Sequence, residues 1–202
     1  MSSASSSLSD ALRAVLLDPL EATALQVHGR TKAAVLVALY LDDGDLRTVF
    51  TRRRHDLRSH AGEISFPGGR RDDEDADDLR ITALREAEEE IGLPREQVRI
   101  VGALTPTPTV ATSYAVYPFV GLIEPGRAWT PSAQEVEEVL ELRLTDLRAA
   151  HARRRLLHRG IPFRSEVYSL GEGLLIWGAT ARIVGDLLAR VDPQLDGTAA
   201  WA

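Results

Sequence analysis

The chain has 202 residues and a formal net charge of −6, which is long enough for one domain with its own core and too acidic for a general binder of nucleic acid, whose surface is basic. It contains no cysteine, so disulfides, thiolate catalysis and thiolate metal sites are excluded. Any metal must be held by oxygen or imidazole, and abundant carboxylates favour a hard cation such as Mg²⁺ or Mn²⁺.

In chain order, residues 1–7 of MSSASSSLSD read as a disordered polar tail, with no basic patch or apolar stretch of a signal peptide. Leu8 to Leu17 has helical spacing, with Ser9 or Asp10 as its cap. AAVLVALYL, 33–41, is a buried strand too short to span a bilayer. Asp42-Asp43-Gly44 then turns the chain into a second strand through Thr48–Phe50. A polar loop at 52–61 and a short strand Glu63–Phe66 lead to Pro67-Gly68-Gly69. After the acidic run RRDDEDADD comes a helix that Asp77 or Asp78 caps and Gly92 with Pro94 ends. Strand patterns follow at 97–104, 114–123 and 138–144, then a helix through about 145–157, a strand at 162–169 and a last helix over 178–191. Elements are interleaved without strict alternation, which predicts an α+β fold with a mixed sheet between helices. Residues 8–192 form a single domain, 193–202 a frayed C-terminal tail, and the expected setting is cytoplasmic, with no membrane partner.

The acidic helix ALREAEEEIGL, 83–93, poses the functional question. Like charges three or four positions apart on a helix repel by roughly 0.2–0.5 kcal/mol per pair. At 100° per residue Leu84, Ala87 and Ile91 share one face and Glu86, Glu89 and Glu90 gather on the opposite one. Either water screens these acids, or they form a ready-made oxygen cage for a divalent cation. Arg85, four residues before Glu89, is placed to hold that carboxylate in one rotamer.

The upstream residues decide between the two. The stretch FPGGRRDDEDADDLRITALREAEEEIGL, 66–93, resembles the signature of the Nudix hydrolases: glycine, five residues, Glu, seven residues, then Arg-Glu-apolar-x-Glu-Glu-x-Gly-apolar. Arg85, Glu86, Ala87, Glu89, Glu90, Gly92 and Leu93 fill the second half. Counting back from Arg85, the early acid slot falls on Asp77, and Gly69 lies two residues too far upstream. The resemblance implies a Nudix fold, an αβα sandwich, in which loop and helix bind Mg²⁺ (or Mn²⁺) and a diphosphate. By that resemblance Glu86, Glu90, Glu89 and the Gly69 carbonyl are the metal ligands, Arg85 supports them, and Glu89 is alternatively the base for the attacking water.

VFTRRRHDLRSHAGEISFPGG, 49–69, further resembles the second motif of the coenzyme A pyrophosphatase branch, through Thr51, Arg53, Leu57, His60, Gly62, Glu63 and Phe66 to Gly69. This implies a small nucleotide substrate, coenzyme A or its acyl form, cleaved to 3′,5′-ADP and 4′-phosphopantetheine. The 3′-phosphate calls for extra cations; Arg52, Arg53, Arg54 and Arg58 lie just before the signature and Arg70 and Arg71 within it. The candidate substrate contacts are Arg52, Arg53, His60, Glu63 and Arg70. Glu135, then Glu138, is the candidate late acid, and Tyr114 and Tyr117 are candidates to line a nucleotide site. Two other readings remain: a Nudix hydrolase of ADP-ribose, a dinucleotide or a nucleoside triphosphate, and a non-catalytic nucleotide sensor.

Overall fold

An unbroken apolar run such as 33–41 must be covered on both faces, and the strand that carries it, Thr31–Asp42 (β1), is the axis about which the molecule is built. The computed structural model describes residues 3–56, 62–109, 113–158, 161–171 and 173–195. Helices Ser3–Val15 (α1) and Pro19–Ala24 (α2) precede β1; Asp45–Arg53 (β2), Ile64–Ser65 (β3), Gly68–Arg70 (β4) and helix Leu79–Ile91 (α3) follow. Next come Arg99–Ala103 (β5), Thr107–Pro108 (β6), Tyr114–Leu122 (β7), Val136–Arg143 (β8) and helix Leu144–Ala149 (α4). His151–His158 (β9), Ile161–Ser169 (β10), Leu175–Ile176 (β11) and helix Gly178–Leu195 (α5) complete the order.

The main sheet runs β3-β2-β1-β7-β5, with β4 on β1, β6 on β7 and β8 on β2. It is mixed, because β1 and β7 run parallel from Thr31 opposite Tyr114 to Leu39 opposite Leu122, while the other pairs are antiparallel. Successive β1 side chains serve opposite layers. Ala34, Leu36, Ala38 and Tyr40 face α3, where Ala83 and Ala87 are fully buried. Val37 and Leu39 join Leu12 of α1, Leu144 and Leu147 of α4 and Leu187 of α5 on the other side. The order helix, mixed sheet, helix is the expected α+β sandwich. A second, antiparallel sheet β11-β10-β9 stands beside it.

Three differences from the sequence reading have physical causes. The helix expected over 145–157 stops at Ala149, and residues 151–158 are strand β9. Only Leu144 and Leu147 of that helix are buried. The Arg-rich remainder has no apolar stripe to dock, and its backbone pairs instead with β10, His151 opposite Tyr168 through His158 opposite Ile161. The tail expected over 1–7 is helical from Ser3, and Ser9, expected as a cap, lies buried inside α1. At the other end α5 runs through Pro193 to Leu195, past the 191 expected for that helix.

Candidate active site

Both ends of α3 are fixed by local chemistry. The Asp78 carboxylate accepts the Arg80 N–H at 3.0 Å as N-cap. Gly92 closes the other end in the left-handed conformation, φ +67°, which glycine adopts without strain. Ala83 and Ala87 press on β1, and this rotation decides where the acids go. Glu90 shares the core-facing side with them and is only 5% exposed. Glu86 is also largely sheltered, its side chain 16% exposed, whereas that of Glu89 is 58% exposed. The acids therefore flank the buried stripe rather than opposing it.

The strand β4 lies over them. The Gly68 N–H donates to Glu90 Oε2 at 3.2 Å. A Cβ on Gly69 would come 2.5 Å from the Glu86 carboxylate, and one on Gly68 would meet the Ala34 carbonyl oxygen at 2.4 Å. Two consecutive glycines are thus required because the chain passes between β1 on one side and a carboxylate on the other. From β2, Arg53 brings one terminal nitrogen to 3.8 Å from Glu90 Oε1 and the other to 3.4 Å from Glu135 Oε2. Its Nε is buried with no hydrogen-bond partner among the described residues, the kind of orphan donor that a ligand completes.

Arg85 is the hub. Its Nε and Nη2 donate to the two carboxylate oxygens of Asp75 at 2.9 and 3.0 Å, and Nη2 also reaches the Arg70 carbonyl at 3.2 Å. Nη1 donates to Glu86 Oε1 at 2.9 Å and Glu89 Oε2 at 3.1 Å. Asp75 is 1% exposed and additionally accepts from the Thr82 hydroxyl and the Asp72 N–H. The Arg85 guanidinium and these donors hold its carboxyl well below the usual carboxylate range, against the effect of burial. Burial instead pushes Glu90 up to about 8, eased by the Gly68 N–H and reinforced by Glu86. Burial also raises Glu86, offset in part by Arg85.

This geometry corrects the early acid. Asp77 is exposed and pairs with Arg71; Asp75 supports the helix. Gly69, five residues, Asp75 satisfies the first half of the signature, so the two extra residues follow the acid. They are Ala76 and Asp77, both in the left-handed region at φ 49° and 60°. The preformed cage is corrected too. Among the described residues no three Asp, Glu or His side chains are placed to share one ion, because Arg85 draws Glu86 and Glu89 while Arg53 draws Glu90. The donor set still fits a hard cation: carboxylates at i, i+3 and i+4 under a glycine backbone, with Glu89 exposed enough to turn off Arg85.

A cavity of about 680 Å³ opens beside these groups, with Arg53, Glu63, Gly68, Gly69 and Arg70 on its wall. Tyr114 lines it; Tyr117 is buried, donating its hydroxyl to the Leu25 carbonyl at 3.2 Å. Arg52 and Glu138 are not brought there, since they pair with each other at 3.2 Å across β2 and β8. Arg54 is engaged by Asp56 and the Ala133 carbonyl. His60, with Leu57 and Arg58, lies outside the described residues. Phe163, Arg164, Trp177 and Arg182 also line it; none is among the substrate contacts expected from the sequence, although the stretch IWGATARIV, 176–184, which holds Trp177 and Arg182, resembles the same branch less specifically. No local signal places a hairpin a hundred residues downstream against β3.

The NUDIX domain family matches residues 30–164. The chain belongs to the Nudix family. A protein named Nudix hydrolase NudL from Pectobacterium atrosepticum is 37% identical over 169 residues, covering 83% of this chain and 86% of its own. The NudL protein of Escherichia coli K12 is 36% identical over 153 residues, covering 71% and 74%. A MutT/nudix family protein from Enterococcus faecalis superposes with a TM-score of 0.55 at 15% identity, over 86% of this chain and 69% of that one, which supports the fold. The Nudix signature accounts for α3 and the loop before it; the second sheet lies outside that signature.

Two outcomes follow from the ionised groups. Asp75→Asn leaves Arg85 without its bidentate partner, and breaking such a sheltered pair is expected to destabilise by about 3–5 kcal/mol at neutral pH. Because the Asp75 pKa is depressed on folding, its contribution is present above about pH 4 and is lost as pH falls below that. Acid unfolding should show the wild-type and mutant curves converging there; a constant gap down to pH 2 would refute the pairing. Glu90 has the opposite sign. Its folded pKa lies above the unfolded value, so in chelator its charging opposes folding increasingly from about pH 4.5 to about 8. Glu90→Gln, measured by thermal melts in chelator, should gain stability over the wild type across that range, and added Mg²⁺ should reverse the order.

Proposed function

We propose that this Nudix protein hydrolyses the diphosphate of coenzyme A or an acylated form of it, giving 3′,5′-ADP and the corresponding 4′-phosphopantetheine. The observation that carries the reading is the cavity. Part of its wall is the Gly68–Gly69 stretch that packs on Glu90 and Glu86, and the same cavity is lined by Phe163, Trp177, Arg164 and Arg182. The 49–69 motif supports the same substrate, because its described members Arg53 and Glu63 both lie on that wall.

Glu86, Glu90 and the Gly69 carbonyl would hold Mg²⁺ or Mn²⁺, joined by Glu89 where Glu135 serves as the base. Such an ion, when bound, neutralises the diphosphate and makes its phosphorus accessible to an oxygen nucleophile. Arg85, anchored on Asp75, keeps Glu86 in place, and Arg53 sits where the diphosphate passes Glu90. Glu89, the exposed acid, takes the proton of the attacking water as the new P–O bond forms and the bridging P–O bond breaks. The second phosphate leaves with the electron pair. Glu135, held by Arg53, is the alternative base.

The test is a panel of coenzyme A, dephospho-coenzyme A, ADP-ribose and diadenosine polyphosphates with products identified by mass. Coenzyme A should have the highest kcat/KM, and cleavage in ¹⁸O-water should label one phosphate. Faster cleavage of ADP-ribose would overturn the substrate while keeping the family. Glu86→Gln and Glu90→Gln should each lower kcat by at least about a hundredfold with Mg²⁺ present, since each removes charge from the cation's shell. Near-normal turnover by either variant would remove that acid from the metal site.

A further inference from the structure

Among the described residues many arginines already have a carboxylate: Arg47, Arg52, Arg53, Arg54, Arg71, Arg80, Arg85, Arg95, Arg143, Arg153 and Arg190 each form an ion pair within 4 Å. Two arginines that β10 and α5 bring to the wall of the cavity have none. Arg164 of β10 and Arg182 of α5 both line it, and neither has a carboxylate partner among the described residues. Arg182 is nonetheless fixed. Its Nε donates to the Thr107 hydroxyl at 3.0 Å and its Nη2 to the Pro108 carbonyl. A guanidinium has five N–H donors, so three remain for a ligand.

Arg164 adds an independent observation. It stands directly opposite Arg155 in the β9–β10 pairing, and Arg155 also lacks a carboxylate partner among the described residues. Like charges directly opposite on antiparallel strands destabilise the pair, unless an anion lies between or beside them. Next to Arg164, Phe163 is half-buried, and its ring lies 6.3 Å from that of Trp177 at an interplanar angle of 50°. Two tilted aromatic rings beside unneutralised guanidiniums form a surface that suits a flat base carrying a phosphate.

We infer that the wall made by β10 and the first turns of α5 recognises the nucleoside end of the substrate: Phe163 and Trp177 hold the base, and Arg164 with Arg182 hold a phosphate monoester on its ribose. This deepens the reading given above and rests on the same cavity. It moves recognition of the extra phosphate from the arginines of 52–58 to the second sheet. Arg53 is left to the diphosphate.

Equilibrium binding to the full chain, with adenosine 3′,5′-bisphosphate, 5′-AMP and 4′-phosphopantetheine as probes, tests it. The bisphosphate should bind about ten- to a hundredfold tighter than AMP, the range of one or two charge-assisted contacts. Arg164→Ala and Arg182→Ala should each weaken the bisphosphate about tenfold or more and AMP less than about threefold. Phe163→Ala should weaken both nucleotides together, and a Trp177→Phe variant should lose ligand-dependent fluorescence change. Circular dichroism and melting of each variant check that the fold is kept. Equal affinity for bisphosphate and AMP, equal loss of both in the arginine variants, or preferential binding of 4′-phosphopantetheine would overturn the inference. If coenzyme A is cleaved but the nucleotides are not distinguished, the wall assignment fails and the substrate reading stands. If coenzyme A is not cleaved yet the bisphosphate still binds selectively through Arg164 and Arg182, the reverse holds.

Discussion

Placing two carboxylates in a poorly hydrated position beside each other is unfavourable by several kcal/mol unless hydrogen bonds and opposite charges surround them. Glu86 and Glu90 are held in that state, and the architecture around them meets its demands. The glycine pair of β4 supplies backbone contact where no Cβ fits. Arg85 and Arg53 supply countercharge at 2.9 and 3.8 Å. The residual imbalance is visible in the raised Glu90 pKa of about 8. A carboxylate whose charge is disfavoured by its surroundings is one that gains from a bound cation, so the strain of the site is the other side of its affinity.

Rigidity of α3 is the second condition. Helical acids share a cation only if the helix neither rotates nor slides, and α3 is held by its inner face. Ala83 and Ala87 against Ala34 and Ala38 allow a close approach of helix to sheet that larger side chains would prevent. Asp75 then ties the preceding loop to Arg85, so the two additional residues before the helix change nothing at the site. Ala76 and Asp77 absorb them as a left-handed bend in solvent.

The parts legible in the sequence were those governed by neighbours along the chain. The caps Asp78 and Gly92, the apolar run of β1 and the acids of α3 all follow from spacing within a few residues. Counting from the wrong end misplaced the early acid, because Asp77 matches the spacing from Arg85 and Asp75 the spacing from Gly69. Burial distinguishes them, and burial depends on the fold. Residues 151–158 were illegible for a similar reason. HARRRLLH is polar in either periodicity, and only its partner β10 makes it a strand. Arg52 and Arg53 are adjacent and chemically identical, yet strand alternation sends one to Glu138 and the other to the acids.

The distribution of paired and unpaired arginines reaches further than any single contact. A chain of net charge −6 repels a polyanion at long range, and screening limits that repulsion to about 8 Å at physiological ionic strength. Recognition of an anionic ligand then has to be local, through guanidiniums not already neutralised. The cavity passes the Gly68–Gly69 stretch that covers Glu90 and Glu86, whose charge attracts a cation, and carries Arg164 and Arg182, which attract an anion, on its wall. On the proposed reading, a ligand that satisfies both carries a diphosphate able to share a metal and a second anionic group at the separation the cavity sets. A simple diphosphate meets only the first condition, and a nucleoside monophosphate only the second. On the proposed reading, selectivity is thus a matter of span rather than of any one strong contact, and the second sheet, beyond the signature, is what measures it.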